Sequence, residues 1–279
     1  MSVVVRTMLA VFVLIGVAGF VAAEEGRPEY TVGVVPQFEA SRLHAIWRPI
    51  LDQLEQRTGL RFKLRGSPSI PEFEREFVQG NFDFAYMNPY HLVMANKAAG
   101  YVPLIRDTGR QLYGVLVVRK DSEITDPRQL QDQPVAFPSP NALGASLQMR
   151  QELFDLFGVT TKSSYVKTHD SVYLNVLLGE AVAGGGVQKT LNRQKPQYRD
   201  ALRVIHTTTK VAPHPLAALP GVPEADRLAV QNALLDLGKS EEGKALLQKI
   251  PIRQVGKATM QDYEPLKQMG LERFAVAPN

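Results

Sequence analysis

The sequence predicts an α/β protein made of two doubly wound lobes joined by two hinge crossings. Three observations lead there. Strand-like apolar runs alternate with helical patterns along most of the chain, and the alternation restarts beyond Asp121. Two Val-rich runs, Leu112–Val118 and Val204–Ala212, bracket the second series. Residues 24–115 and 210–279 are expected to form the first lobe, and residues 116–209 an inserted second lobe. A chain of 279 residues suits about two domains, and its 44% apolar and 22% charged residues are those of a globular protein.

Arg6 is followed by an apolar run, Met8–Val21, then by Ala22-Ala23 and the acidic pair Glu24-Glu25. A basic start, a short apolar stretch and small side chains at Val21 and Ala23 are the marks of a secretory signal peptide over residues 1–23. The run is shorter than the ~20 residues that cross a bilayer, so the remainder is expected to be exported and soluble. Tyr30–Pro36 (YTVGVVP) is a β-branched run closed by Pro and reads as a buried strand. From Ala40 to Gly59, apolar residues at Leu43, Ile46, Trp47, Ile50, Leu51 and Leu54 keep the three-and-four spacing of an amphipathic helix. A strand over Arg61–Gly66 precedes a second helix, opened by a capping box of Ser69 and Glu72 and closed by Gly80. Phe82–Met87 is a third strand, after which Asn88 offers an N-cap and Pro89 an N1 proline for a third helix. Tyr101–Ile105 and Leu112–Val118 are further strands. The second series reads as strand 135–137, helix 142–157, strand 164–168, helix 171–178, strand 182–187, helix 189–202 and strand 203–208. Helices near 224–237, 241–248 and 260–269 complete the chain. Strands and helices alternating in this way are expected to form parallel sheets.

Ligands of open α/β sheets bind beyond the carboxyl ends of the strands. That rule selects Gln37 and Phe38 after the first strand, and Asn88, Tyr90 and His91 after the third. Tyr86, within that strand, and Tyr90 either line the site or fill the core. In the second series the rule selects Ser139 and Asn141, then His169, Asp170 and Ser171, then Gln188. Most of these positions open helices, where free backbone N–H groups and the helix dipole favour an anion. A few charge-assisted hydrogen bonds, each contributing ~1.5–3 kcal/mol, suffice to hold a small oxyanion without a metal. Ser139, Asn141 and Ser171, taken singly, are explained as well by helix capping. His169, at a strand-to-helix junction, is the most suggestive residue; His44, His206 and His214 read as structural.

No catalytic constellation accompanies these loops, so neither enzymatic activity nor a cofactor is expected. Cysteine is absent, which removes disulfides, thiol nucleophiles and Cys metal sites. Gly184-Gly185-Gly186 with Lys189-Thr190 lacks the glycine that precedes the lysine of a phosphate-binding loop. A glycine run at a strand end instead permits close approach of backbone or ligand. Glu72, Glu74 and Glu76 fan around their helix rather than converge. A formal net charge of +4, evenly mixed, gives no ground for a nucleic-acid partner.

Taken in order, YTVGVVP, LHAIWRPILDQLEQRTGL, FDFAYMNPYH, LYGVLVVRKDS and YVKTHDS resemble the phosphonate/phosphite/phosphate-binding components of ABC importers, over roughly Tyr30 to Gly270. The resemblance implies the type II periplasmic binding protein fold: two lobes that close on a small-molecule ligand. It also implies a periplasmic monomer that docks on an ABC permease. In it, Tyr90 matches the family's aromatic after the third strand, and His169, between Thr168 and Asp170, matches its second-lobe histidine. The family's Ser-Thr-Ser run falls on Pro138-Ser139-Pro140-Asn141-Ala142-Leu143-Gly144. There Pro140 has no N–H and two hydroxyls are missing, and a family acidic residue falls on Gln188. These departures set a ligand outside the phosphonates as the alternative to a phosphonate-like oxyanion. The alternative to import is a ligand-sensing component that docks on a histidine-kinase ectodomain.

Overall fold

A strand buried on both faces must be apolar at every position, because successive side chains point to opposite sides of the sheet. The GVLVV run obeys this rule. Leu116 and Val118 enter one core with Val135, Phe137, Met149 and Leu153, while Val115 and Val117 enter another with Tyr173, Val176 and Leu202. These two cores flank one sheet of a computed structural model that describes residues 28–277; the expected signal peptide lies outside the described residues.

Strands β1 (Glu29–Val34), β2 (Arg61–Gly66), β3 (Phe84–Tyr86), β4 (Val102–Asp107), β10 (Leu216–Ala218) and β11 (Val255–Lys257) form the first sheet, ordered β11-β4-β10-β3-β1-β2. Strands β5 (Gly114–Arg119), β6 (Pro134–Phe137), β7 (Lys162–Tyr165), β8 (Ala183–Val187) and β9 (Leu202–Thr207) form the second, ordered β7-β6-β8-β5-β9. The second sheet thus takes Gly114 and Val115 as well, two residues ahead of the expected switch. The chain passes between the lobes twice, and the two crossings pair: Leu112 and Val211 exchange N–H···O bonds of 2.8 and 2.9 Å.

The sheets are mixed, not wholly parallel as expected. β1 pairs parallel with β2 and β3, and β6 with β7 and β8, but β10 runs antiparallel to β3 and β4, and β5 antiparallel to β8 and β9. The crossings explain this. A strand arriving from the other lobe enters at the carboxyl end of its neighbours and can only run against them. β10 and β11 were not foreseen; each has three residues, too few for a periodic signal.

Helix α1 (Ala40–Thr58) ends where Gly59 turns left-handed at φ 72°, a conformation that suits glycine. At α2 (Ile70–Val78) only half of the expected capping box forms. Ser69 accepts from the Glu72 N–H, but the Glu72 carboxylate turns to Arg75 instead of back to the cap. At α3 (Pro89–Ala99) Asn88 caps as expected, its Oδ1 accepting from the His91 N–H at 2.8 Å. The helix expected over 142–157 opens as a π turn, Leu143–Leu147, before α4 (Gln148–Phe157). After α5 (His169–Leu178), the helix expected over 189–202 is cut into α6 (Gln188–Asn192) and α7 (Pro196–Arg199), because Pro196 has no N–H to continue the ladder. Helices α8 (Glu224–Leu237) and α9 (Glu241–Lys249) return to the first lobe and pack on α1. The last expected helix is reduced to a 3-10 turn and α10 (Glu264–Lys267), with Pro265 near its start. No described helix is long and apolar enough to cross a membrane.

Candidate ligand-binding cleft

The carboxyl ends of β1, β3, β6, β7 and β8 converge on one cleft between the sheets. Gln37, Asn88 and His214 line it from the first lobe, and Gly144, Thr168 and His169 from the second. It holds about 60 Å³ of space open to the centre of a water-sized sphere, several times the ~10–15 Å³ that one water needs. At the start of α5, Thr168 Oγ1 accepts from the Ser171 N–H at 3.1 Å. The N–H groups of His169 and Asp170 precede the first helical bond and are left for a ligand or solvent. His169 Nδ1 is buried there without a hydrogen-bond partner. Lys167, just before, is held at φ 73°, a region that non-glycine residues seldom occupy.

His214, which the sequence presents as structural, also lines the cleft. It stands between Pro213 and Pro215 in the second crossing, 2.9 Å from Gln37 Nε2 and stacked on Tyr86 with ring centroids 5.7 Å apart. Burial pushes its pKa down to about 3, and the charges of Arg110, His91, His169 and Lys189 add to the shift. Burial likewise lowers His169 to about 4, against a small opposing pull from Asp170. Net positive surroundings thus add to burial at His214, while at His169 burial acts alone. Unfolded, each ring titrates near ~6.5. The native state stays deprotonated over the range in which the unfolded chain gains protons. Stability is thus full above about pH 6.5 and drains away as pH falls toward the native values. The ligand-free protein is expected to lose ~2 kcal/mol per imidazole between pH 8 and pH 5. Urea midpoints at the two pH values check this, and a flat profile would refute the burial of both rings.

Several other expected residues sit elsewhere. Tyr86 is a core residue, its hydroxyl donating to the Ile250 carbonyl at 2.9 Å. Tyr90 is absent from the cleft lining; it packs half-buried on the first-lobe core, where burial and then Glu272 and Glu74 raise its pKa. Phe38, Asp170 and Ser171 line a neighbouring recess instead. Gln188 turns along its own helix to Asn192 at 2.7 Å. Ser139 is buried behind the cleft, its Oγ without a partner.

Asn141 is fully engaged by protein. Its Nδ2 donates to Glu74 Oε2 at 3.0 Å and to the Val276 carbonyl at 2.7 Å, and its Oδ1 accepts from the Val276 N–H at 3.0 Å. Glu74 also meets the buried His91 Nε2 at 2.9 Å, and Asn88 Nδ2 donates to the Asn141 carbonyl at 3.2 Å. Asn141 thereby clasps the second lobe to α2, α3 and the C-terminal segment. Asn141→Ala is expected to cost ~2–4 kcal/mol in a denaturant titration without ligand, because it strands buried partners at ~1–3 kcal/mol each. A loss under ~0.5 kcal/mol, the range of a surface change, would mean the clasp does not form in solution.

Two α/β lobes, crossed twice by the chain and carrying helix N-termini and imidazoles on the walls between them, define a two-lobed solute-binding protein. Residues 32–263 match the family of ABC transporter phosphonate periplasmic substrate-binding proteins, and the chain belongs to that family. The chain is similar to the binding protein component of an ABC phosphonate transporter from Pseudomonas aeruginosa, at 18% identity over 91% of this chain and 90% of that one, with a TM-score of 0.78. It is also similar to PhnD1 from Prochlorococcus marinus in complex with methylphosphonate, at 17% identity over 88% and 98% of the two chains, with a TM-score of 0.78. A Xanthomonas citri protein bound to ATP is a third likeness, at 16% identity over 88% and 98%, with a TM-score of 0.75. At these identities the solved structures speak for the fold, which is that of type II periplasmic binding proteins. The chain is a periplasmic binding protein that takes up a small ligand for an ABC transporter and docks on its permease.

Proposed function

We propose that the ligand is a small phosphonate-like oxyanion, held between Gln37, Asn88 and His214 on one side and Thr168, His169 and the π turn at Gly144 on the other. One observation carries the reading: the buried, unpartnered Nδ1 of His169 stands beside free N–H groups at the N-terminus of α5, in a cleft lined from both lobes. Residues 1–23 act as the cleaved signal that delivers the protein to the periplasm, where it works as a monomer without chemistry of its own. Ligand favours the closed arrangement through its greater affinity for it, and the closed form is the one offered to the permease. The sensing alternative gains no support from the family or the related structures.

A thermal-shift screen of the mature protein against methylphosphonate, phosphite, phosphate, sulfonates and small carboxylates tests this. A ligand at about a hundredfold over its Kd adds ~2.7 kcal/mol, which raises Tm by several degrees in a chain of this size. Phosphonates or their inorganic relatives are expected to give that rise. A rise with small carboxylates alone would remove the phosphonate-like reading.

A further inference from the structure

Beyond the mouth of the cleft lies a second recess, with about 430 Å³ open to a water-sized sphere, walled by Phe38 and Arg42 of the first lobe and by Arg193, Lys195 and Tyr198 of the second. It adjoins the cleft directly: Gln37 and His169 line the cleft, and their chain neighbours Phe38 and Asp170 line the recess. Its walls are short of counter-charge. Among the described residues, Arg42, Arg193 and Lys195 of its lining make no ion pair, nor do Lys189 and Arg253, which act on one another. Arg110 is committed to the buried Asp107 at 2.9 Å, and Asp170 accepts from Gln194 Nε2 at 2.6 Å. The Arg42 guanidinium lies 4.1 Å above the Phe38 ring, which offsets its charge only in part.

We propose that this recess is a second anion subsite, and that the ligand carries two acidic ends: a phosphonate-like head in the cleft and an oxyanion-bearing tail between Arg42 and Arg193. The proposal rests on the cleft holding the head group. Like charges from opposite lobes face one another here, so closing the lobes without an anion between them is opposed. A second anion turns that repulsion into attraction on both sides and contributes only in the closed state, which is the condition for a ligand to drive closure. Arg193 is shifted down by burial and then by Arg42 and Arg110, and Lys189 to about 7 by burial and then by Arg110, Arg193 and Arg253. An arriving anion offsets the part of both shifts that comes from neighbouring charge, and Lys189 then takes up protons near neutral pH. A ligand with an ammonium tail meets the same field with the wrong sign, Asp170 being the one acid in the lining.

Calorimetry of the mature protein with methylphosphonate, 3-phosphonopropionate and 2-aminoethylphosphonate decides the matter. The phosphonocarboxylate is expected to bind on the order of tenfold or more tighter than methylphosphonate, the gain of one charge-assisted hydrogen bond, and the aminophosphonate more weakly. Its binding above pH 7 is also expected to take up protons, seen as a heat that varies with the ionisation enthalpy of the buffer. Arg42→Gln with Arg193→Gln, both at exposed positions, should bring the ratio of the two affinities close to one. Methylphosphonate binding with no gain from the added carboxylate, or a gain that survives the double substitution, overturns the subsite alone. If none of the three binds, the phosphonate reading of the cleft fails and takes the subsite with it.

Discussion

Gly185→Ala is expected to lower stability by more than ~3 kcal/mol or to prevent the second lobe from folding. A Cβ at this position would stand 2.0 Å from the carbonyl oxygen of Ala145 and 2.6 Å from the ring of Phe137. Ordinary overpacking costs ~1–3 kcal/mol because neighbouring side chains can shift. Here the nearest obstacle is backbone, fixed by the π turn, and that turn presses as closely on the neighbouring strand β5. A Cβ on Gly114 would come 1.8 Å from the Gly144 carbonyl oxygen. The turn lies across β5 and β8 on one face of the sheet, and the cleft-lining residue Gly144 is placed by that contact. Gly66→Ala serves as the control, since a Cβ there meets nothing within 4 Å and its φ is ordinary. Urea titrations of the two variants should differ widely. A Gly185→Ala protein as stable as the Gly66→Ala control would show that the turn does not sit against β8.

That close contact also shows what the sequence could and could not convey. Three consecutive glycines at a strand end announce close approach of something, and each of the three meets a different neighbour: Val172 and Val176 at Gly184, Ala145 and Phe137 at Gly185, Tyr173 at Gly186. The sequence cannot say which, because the partners come from three separate elements. The alternation of strands and helices was legible for the same reason that GVLVV was: burial on a sheet or helix face imposes a period. Strand direction at the crossings was not, since antiparallel entry follows from where the chain comes from and leaves no trace in the residues of β10 or β5.

The site divides along the same line. Gln37, Asn88 and His169 follow from the rule about strand ends. Asn141 satisfies the rule and still fails as a ligand donor, because Glu74 and Val276, 67 and 135 positions away along the chain, take its amide. His214 lies on no strand end of its own. Its one sequence signal is the pair of flanking prolines, which hold the backbone extended and keep the ring at the crossing where the two lobes meet.

His169→Ala is expected to weaken ligand binding by roughly 10- to 100-fold, the loss of one hydrogen bond to a charged group at ~1.5–3 kcal/mol, while stability at pH 8 hardly changes. The two effects separate because of where the ring sits. It lines the cleft, and its Nδ1 has no protein partner to strand. A histidine kept for structure would behave in the opposite way, losing stability first and affinity as a consequence. The pH dependence sharpens the distinction. Because the native ring titrates at about 4, its burial works against the ligand-free fold below pH 6.5. The variant should therefore gain on the unaltered protein by ~2 kcal/mol at pH 5, even as it binds more poorly. An anion in the cleft draws the imidazole back toward its protonated form, so in the unaltered protein affinity should rise as pH falls from 7 to 5, and the variant should lose much of that rise. Calorimetric affinities and urea midpoints at both pH values measure all four quantities. Parallel loss of affinity and stability at pH 8, or an affinity that ignores the substitution, would return His169 to the scaffold and leave the free N–H groups of α5 and His214 to hold the anion.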